Sequence, residues 1–406
     1  MNYKLTAVIA LMIIYLYEML IRWLDWRSVK NPIPANVKDV YDQETYQKWR
    51  NYHGENSRFG IISGTAGTAA VLLLLISDAY AHFAGLFPDT PFMQMAGVLV
   101  LSSLTDIIGL PFAWYKTMVI EEKYGFNKTT PKTFWLDQLK SFLIGLALII
   151  GVGSLLMWAH QRLGDWMIVV FAGIMTLVAL FISFLYPVFS KVFNKFTPLE
   201  DGELKARLTA MLEKHGYHVR AIQVMDASRR STKSNAYFTG FGKMKTIVLY
   251  DTLLAAMTPD EIMAVFAHEM GHGLHKDTLR NQALSFVQML IVGALSWLTL
   301  RTPDIFPWFG FSKVNYGFAL LLIMNVEFAL ISPLFGLIGN TLSRRAEYRA
   351  DAQAAQEGYA EHLITGLKKL ARENYADLAP DPLMVKLNYS HPTLSQRIDA
   401  IRRVRK

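Results

Sequence analysis

The chain alternates long apolar runs with charged segments. Seven runs are long enough to cross a bilayer as helices, at 5–24, 61–80, 93–115, 141–159, 167–189, 281–300 and 317–339. The segments between them carry unequal charge. Residues 25–58 hold six Lys/Arg, 81–92 none and 116–140 five. Arg162 stands alone in 160–166, and 301–316 has only Arg301 and Lys313. Alternate loops are thus basic, and basic loops face the cytoplasm. Seven crossings then put the N-terminus outside and the C-terminus inside. The first run is long for a signal peptide and no A-x-A-like site follows it, so it reads as an anchor rather than a cleaved leader.

Two stretches differ in character, 190–280 and 340–406, and both are rich in charge of either sign. Leu204, Leu208, Met211 and Leu212 recur at helical spacing and predict a helix over about 201–215. Ile222–Met225 and Thr246–Tyr250 have the composition of short strands, with a polar, basic link from Ser228 to Ser234 between them. Residues 340–406 read as helical, with a turn at Ala379-Pro380-Asp381-Pro382. The expected fold class is mainly α, with seven transmembrane helices and a cytosolic α+β part. The expected division falls at 189/190. Residues 1–189 form an N-terminal membrane region of five transmembrane helices with cytosolic loops. Residues 190–406 include transmembrane helices six and seven.

Composition agrees with this pattern. Hydrophobic residues make up 52% and charged residues 18%, too apolar for an ordinary soluble chain. The net charge of +8 calls for no nucleic-acid partner, because basic loops beside anionic lipid account for it. The chain has no Cys, which excludes disulfides, thiol nucleophiles and Cys-ligated metal.

One motif turns a membrane protein into a membrane enzyme. His268-Glu269-Met270-Gly271-His272 is an H-E-x-x-H sequence. Side chains four apart share a helix face, so His268 and His272 can grip one metal ion together. Glu269 projects beside them as a base for a water activated there. Thr258-Pro259-Asp260-Glu261 reads as the start of the helix, with Thr258 as cap, Pro259 at the first position and Glu261 completing a capping box. The apolar run Ile262–Ala267 then buries that helix up to His268.

A catalytic zinc needs three protein ligands and one open position. A third His six residues past His272 would complete one known pattern, but Thr278 stands there. His275 lies two turns from His268, about 10.5 Å along the axis and too far for one ion. A carboxylate from elsewhere is expected, and Glu347-Tyr348-Arg349-Ala350-Asp351 offers E-x-x-x-D. Glu347 can bind the metal, and Asp351, one turn on, can accept an N–H from a ligating His. If the stems beside spans six and seven continue as helices, His272 and Glu347 reach a similar depth, about 12–14 Å past the membrane edge.

With these residues in hand, the chain resembles the type I CAAX prenyl proteases, integral-membrane zinc endopeptidases. The resemblance runs over nearly the whole chain. It includes Ile120–Asn127 (IEEKYGFN), Phe193–Leu199 (FNKFTPL), Ser234–Phe238 (SNAYF), HEMGH, Glu347–Asp351 and Tyr389–Pro392 (YSHP). The shorter heat-shock membrane proteases share the zinc motifs but are similar only to the C-terminal half. The resemblance implies a seven-helix barrel around a water-filled chamber, with Zn2+ at its cytosolic end. It also implies that Asn235 and His391 contact substrate or steady the tetrahedral intermediate. From the residues themselves, Ser234–Phe238 can form an edge strand that pairs with an extended peptide.

The expected reaction is peptide hydrolysis, with zinc on His268, His272 and Glu347, Glu269 as base and then acid, and Asp351 as support. The substrate is a peptide or protein. It is either a prenylated C-terminal peptide or, in a quality-control protease, a membrane-associated or misfolded chain. A transporter or receptor with a structural metal is the competing class, and it would close the site with four protein ligands rather than three. The protein sits in the bilayer as a multi-pass protein with its site toward the cytoplasm. That membrane is the plasma membrane of a bacterium or the endoplasmic reticulum of a eukaryote. Glu18, Asp106 and Glu327 lie inside spans, where they face a chamber or pack against neighbouring helices. Arg22 and Asp78 lie near span ends and are expected to reach for the interface.

Overall fold

In a computed structural model, residues 2–217, 219–239 and 246–404 are described, with the backbone alone at 183–189 and 238–239. The helices in chain order are α1 (Tyr3–Ser28), α2 (Gln43–Ile76), α3 (Ala79–Ala84), α4 (Pro91–Tyr115), α5 (Pro131–Leu163), α6 (Met167–Ser190), α7 (Glu203–Lys214) and α8 (Asp251–Ala256). They continue as α9 (Pro259–Leu274), α10 (Asp277–Leu300), α11 (Tyr316–Leu322), α12 (Ala329–Ala354), α13 (Ala360–Glu373), α14 (Pro382–Asn388) and α15 (Leu394–Val404). Three of them begin with the same device, at Thr90-Pro91, Thr130-Pro131 and Thr258-Pro259. Each Thr side chain accepts an N–H from the third helical residue, and each Pro takes the first position, where its missing N–H costs nothing.

Among the described residues, six stretches are long and apolar enough to cross a membrane: Tyr3–Ser28, Gln43–Ile76, Pro91–Glu121, Pro131–Ile182, Asp277–Leu300 and Tyr316–Glu373. The fourth and fifth expected spans share Pro131–Ile182, which holds α5 and most of α6 and is broken at Gly164, whose φ is 52°. The second expected span, 61–80, overruns its helix. α2 stops at Ile76 because Asp78 turns left-handed, at φ 57°. Asp78 does not simply reach for water there; it pairs with Lys4 at 2.6 Å. Arg22 also departs from expectation. It lies over the bare backbones of Gly60 and Gly64 on α2, and its Nε is buried.

Two large apolar cores lie among the described residues. One joins α1, α3, α4, α6, α10 and α11 through side chains such as Met95, Leu99, Phe171, Phe309 and Phe318. The other lies beneath α9, α7 and α13 and takes in Leu208, Ile247, Phe266, Leu363 and Ile398. Its floor is a sheet of β1 (Phe196–Pro198), β2 (Ala221–Met225), β3 (Ala236–Thr239) and β4 (Thr246–Tyr250), in the order β1-β2-β4-β3. β2 and β4 are parallel, and β1 and β3 flank them antiparallel. β3 is therefore an edge, as expected for Ser234–Phe238. Ile247, Val248 and Leu249 are fully buried, as a central strand requires.

The stem between α9 and α10 is not continuous. α9 ends at Leu274, Lys276 turns left-handed at φ 55°, and α10 restarts at Asp277. The depth expected for His272 from one straight helix therefore fails. α12 does run unbroken through Glu347 and Asp351.

The α9 start is closed by the full capping box: Thr258 N–H donates to Glu261 Oε2 at 2.8 Å, and Lys369 pairs with the same carboxylate at 2.6 Å. Thr258→Ala should cost about 1 kcal/mol. Thermal unfolding in detergent should show a lowered midpoint; an unchanged midpoint would remove the cap from the account.

Candidate metal centre

The α9–α12 contact begins with small residues. α12 turns Ala346, Ala350 and Ala354 inward, four residues apart, and Glu347 and Asp351 follow on the same buried side. Gly271 lies against this ridge. A Cβ there would sit 2.9 Å from the Ala350 Cα, so only glycine allows the approach. Its neighbours His268 and His272 are thereby pressed toward Glu347.

Three donor atoms converge. His268 Nε2 is 3.5 Å from Glu347 Oε2, and His272 Nε2 is 3.3 Å from Glu347 Oε1. One ligand atom from each of the three residues lies within 4.8 Å of the other two. A tetrahedral ion with bonds near 2.0–2.1 Å sets its ligand atoms roughly 3.3–3.4 Å apart, and each inward imidazole nitrogen stands close to that distance from one Glu347 oxygen. Glu347 Oε2 is buried without a hydrogen-bond partner among the described residues. A divalent ion would satisfy it.

The outer nitrogens of both rings are fixed. His268 Nδ1 meets Asp351 Oδ1 at 2.9 Å, and His272 Nδ1 meets Asp277 Oδ2 at 3.0 Å. Each imidazole thus donates Nδ1–H to a carboxylate and turns its Nε2 lone pair inward. The carboxylates are held in turn. Arg397 grips Asp351 in bidentate fashion at 2.6 and 2.9 Å, and Arg349 reaches Asp277 at 2.6 Å. Burial alone would depress His268, but Asp351 and Glu347 outweigh it and hold the ring up to about 9. The pocket between these groups calls for positive charge.

Glu269 is half-buried and makes no hydrogen bond or ion pair among the described residues. Burial raises its carboxyl above the usual range, while the two histidines pull it back. This suits a group that takes up and releases a proton. His391 joins the cluster from the loop before α15, with Nε2 3.3 Å from Glu347 Oε1 and Nδ1 2.8 Å from Ser390 Oγ. It is 60% exposed, which leaves it open to a ligand. Asn235 is exposed at the start of β3, and its side chain accepts only the neighbouring Ala236 N–H, at 2.9 Å. No described contact joins it to the metal centre.

Residues 22–195 match a family model described as the CAAX prenyl protease N-terminal region with five membrane helices. Residues 198–405 match the model of peptidase family M48. CAAX prenyl protease 1 of Saccharomyces cerevisiae is 32% identical, over 91% of this chain and 88% of its own length. The Arabidopsis thaliana homolog is 33% identical over 98% and 96%. The crystal structure of S. mikatae Ste24p superposes with a TM-score of 0.90 at 31% identity, covering 98% of this chain and 99% of that one. The chain belongs to peptidase family M48. It is a multi-pass membrane metalloendopeptidase resembling the CAAX prenyl proteases.

Two groups around this M48 centre escape sequence reasoning. Asp277 lies five residues past His272, beyond the Lys276 turn, and only that turn brings it back. Arg397 lies 46 residues from Asp351, and no periodicity links them. A third feature holds the segment that precedes Asn235. The loop Glu121–Thr129 clasps the segment before β3: Lys128 N–H donates to Arg230 O at 3.0 Å and Thr232 N–H to Phe126 O at 3.2 Å. Lys233 Nζ caps the Phe126 ring at 4.7 Å. Of the ionisable groups in spans, Glu327 accepts from Thr299 at 2.8 and 3.0 Å, whereas Asp106 lines a cavity of about 1050 Å³ with Ser102, Gln138 and Asn325. Glu18 is exposed on α1.

Asp277→Asn should weaken metal retention roughly 10–100-fold, measured by competition with a chelator. Equal retention would deny Asp277 its orienting role. Gly271→Ala should lower the unfolding free energy by about 1–3 kcal/mol and reduce the metal content of purified protein. Normal metal content would show that the helices need not meet so closely.

Proposed function

We propose that this protein is a zinc endopeptidase that trims the C-termini of prenylated peptides at the cytosolic face of a membrane. The observation that carries this reading is the donor set of His268, His272 and Glu347, spaced for one tetrahedral ion, with Glu269 unpaired beside it. Among the described residues the group has three members, which suits a catalytic ion better than a closed structural one. Zinc bound there supplies a Lewis acid that activates water and polarises a peptide carbonyl.

The chain's own residues do the rest. Glu269 accepts the proton of the attacking water and hands it to the leaving amine. Asp351 and Asp277 keep the two imidazoles in the tautomer that presents Nε2. His391, exposed on the open side of Glu347, donates to the oxyanion as the carbonyl becomes tetrahedral. β3 supplies an edge on which an extended peptide adds as a further strand, and Asn235 at its head fixes the register.

The membrane geometry supports a cytosolic site. α5 alone has 33 residues, about 50 Å of helix, so Pro131–Ile182 crosses twice with its turn at Gly164, and the chain makes seven crossings. Glu347 lies 31 residues past Tyr316, roughly 46 Å along its helices and outside a bilayer core of about 30 Å. The basic loops place that side in the cytoplasm. The division into 1–189 and 190–406, and a chamber bounded by the helices and lined by Asp106, belong to the same reading. The prenylated substrate comes from the relatives, which are named CAAX prenyl protease 1 in yeast and plant.

Glu269→Gln should keep the metal and lose roughly a hundred- to ten-thousand-fold in cleavage rate. Undiminished cleavage would refute the assignment. One peptide assayed with and without its isoprenoid separates the substrate classes. The prenylated form should be cleaved faster at equal concentration, and equal rates would favour a quality-control protease.

A further inference from the structure

A second pocket lies at the membrane boundary and shares no lining residue with the candidate metal centre. It has a volume of about 820 Å³ and is walled by α2, the end of α4 and the loop after it. Its size is that of a small-ligand site. The upper wall is basic. Arg50 and Arg58 lie eight residues apart on α2, about 12 Å along the axis, and both line the pocket. Both are exposed, and neither has an ion pair or hydrogen bond among the described residues. Lys123 completes the wall and pairs with Glu55 at 2.8 Å. Three cations thus face one carboxylate, leaving two positive charges unmatched.

The floor is apolar and faces lipid. Phe59 stacks on Tyr115 at 5.7 Å and tilts against Phe112 at 6.2 Å. Ile62 is 62% exposed and Tyr115 45%. These residues lie where both helices pass from polar to apolar sequence. A phenol at that level is the usual anchor at the headgroup layer. The pocket therefore offers cations to the headgroup zone and aromatic and aliphatic surface to the chains below.

We propose that this pocket binds one anionic phospholipid, with Arg50 and Arg58 on the phosphate and Phe59, Ile62 and Phe112 along the upper acyl chains. Charge complementarity selects the class: a zwitterionic headgroup brings its own cation beside the phosphate and adds no net negative charge to this basic wall, and a soluble anion would leave the apolar floor empty. The lipid also touches Lys123 and Tyr124, which belong to the loop clasping the segment before Asn235. The site uses no residue of the metal centre, so it stands or falls independently of the proposed reaction.

The test uses purified full-length protein in detergent and native mass spectrometry. Phosphatidylglycerol and phosphatidylcholine with the same acyl chains are added together in equal amounts. Wild-type protein should retain the anionic lipid in roughly 25-fold preference. Arg50→Gln and Arg58→Gln should each reduce that preference roughly five-fold, and the double variant should bring it near parity. Arg50→Lys with Arg58→Lys should keep most of it, which also covers a glutamine variant that folds poorly. A large excess of inorganic phosphate should leave the lipid bound. Parity in the wild type, an unchanged preference in the double glutamine variant, or displacement by phosphate would each overturn the proposal.

Discussion

The close approach of two helix backbones governs the site. Gly271 on α9 fits against Ala350 on α12 with no room for a Cβ. That contact places the H-E-x-x-H face opposite Glu347 and Asp351, which the chain separates by more than seventy residues. Metal sites need their donors held to fractions of an ångström, and helices joined through a small-residue seam hold them better than loops would. The capped start of α9 and the apolar residues beneath it make the helix rigid where the histidines leave it.

Charge balance follows from that packing. Glu347, Asp351 and Asp277 are all buried, and such carboxylates are costly without partners. Arg397 answers Asp351 and approaches Glu347 at 3.4 Å, while Arg349 and Arg280 answer Asp277. Removing one member of such a network typically costs about 3–5 kcal/mol, because its partner stays buried and uncompensated. The two aspartates thus do two jobs: they orient imidazoles inward and tie α9 and α10 to α12 and α15.

Much of this was legible in the sequence because it is local. Thr258-Pro259 with Glu261 announced a capped helix, and the four-residue spacing of His268 and His272 announced a shared face. Glu347 and Asp351, one turn apart, were readable as a second paired face. What escaped depends on chain reversals. Asp277 reaches His272 only through the left-handed turn at Lys276, and Arg397 reaches Asp351 from a separate helix. β1 is three residues long and ends in proline, too short for any pattern to reveal. The end of the second span was misplaced for a similar reason: Asp78 adopts a left-handed turn that hydropathy does not register. Asn235 was recognisable through family resemblance, while its geometry ties it to the sheet edge rather than to the metal donors.

α12 thus links an apolar stretch long enough to cross a membrane to Glu347, the proposed third metal donor. The most direct test is X-ray absorption at the zinc edge of the purified, full-length protein. The account predicts one zinc per chain, bound by two imidazoles, one carboxylate and one oxygen from outside the protein. A protein with no stoichiometric zinc, or a zinc closed by four protein donors, would contradict it.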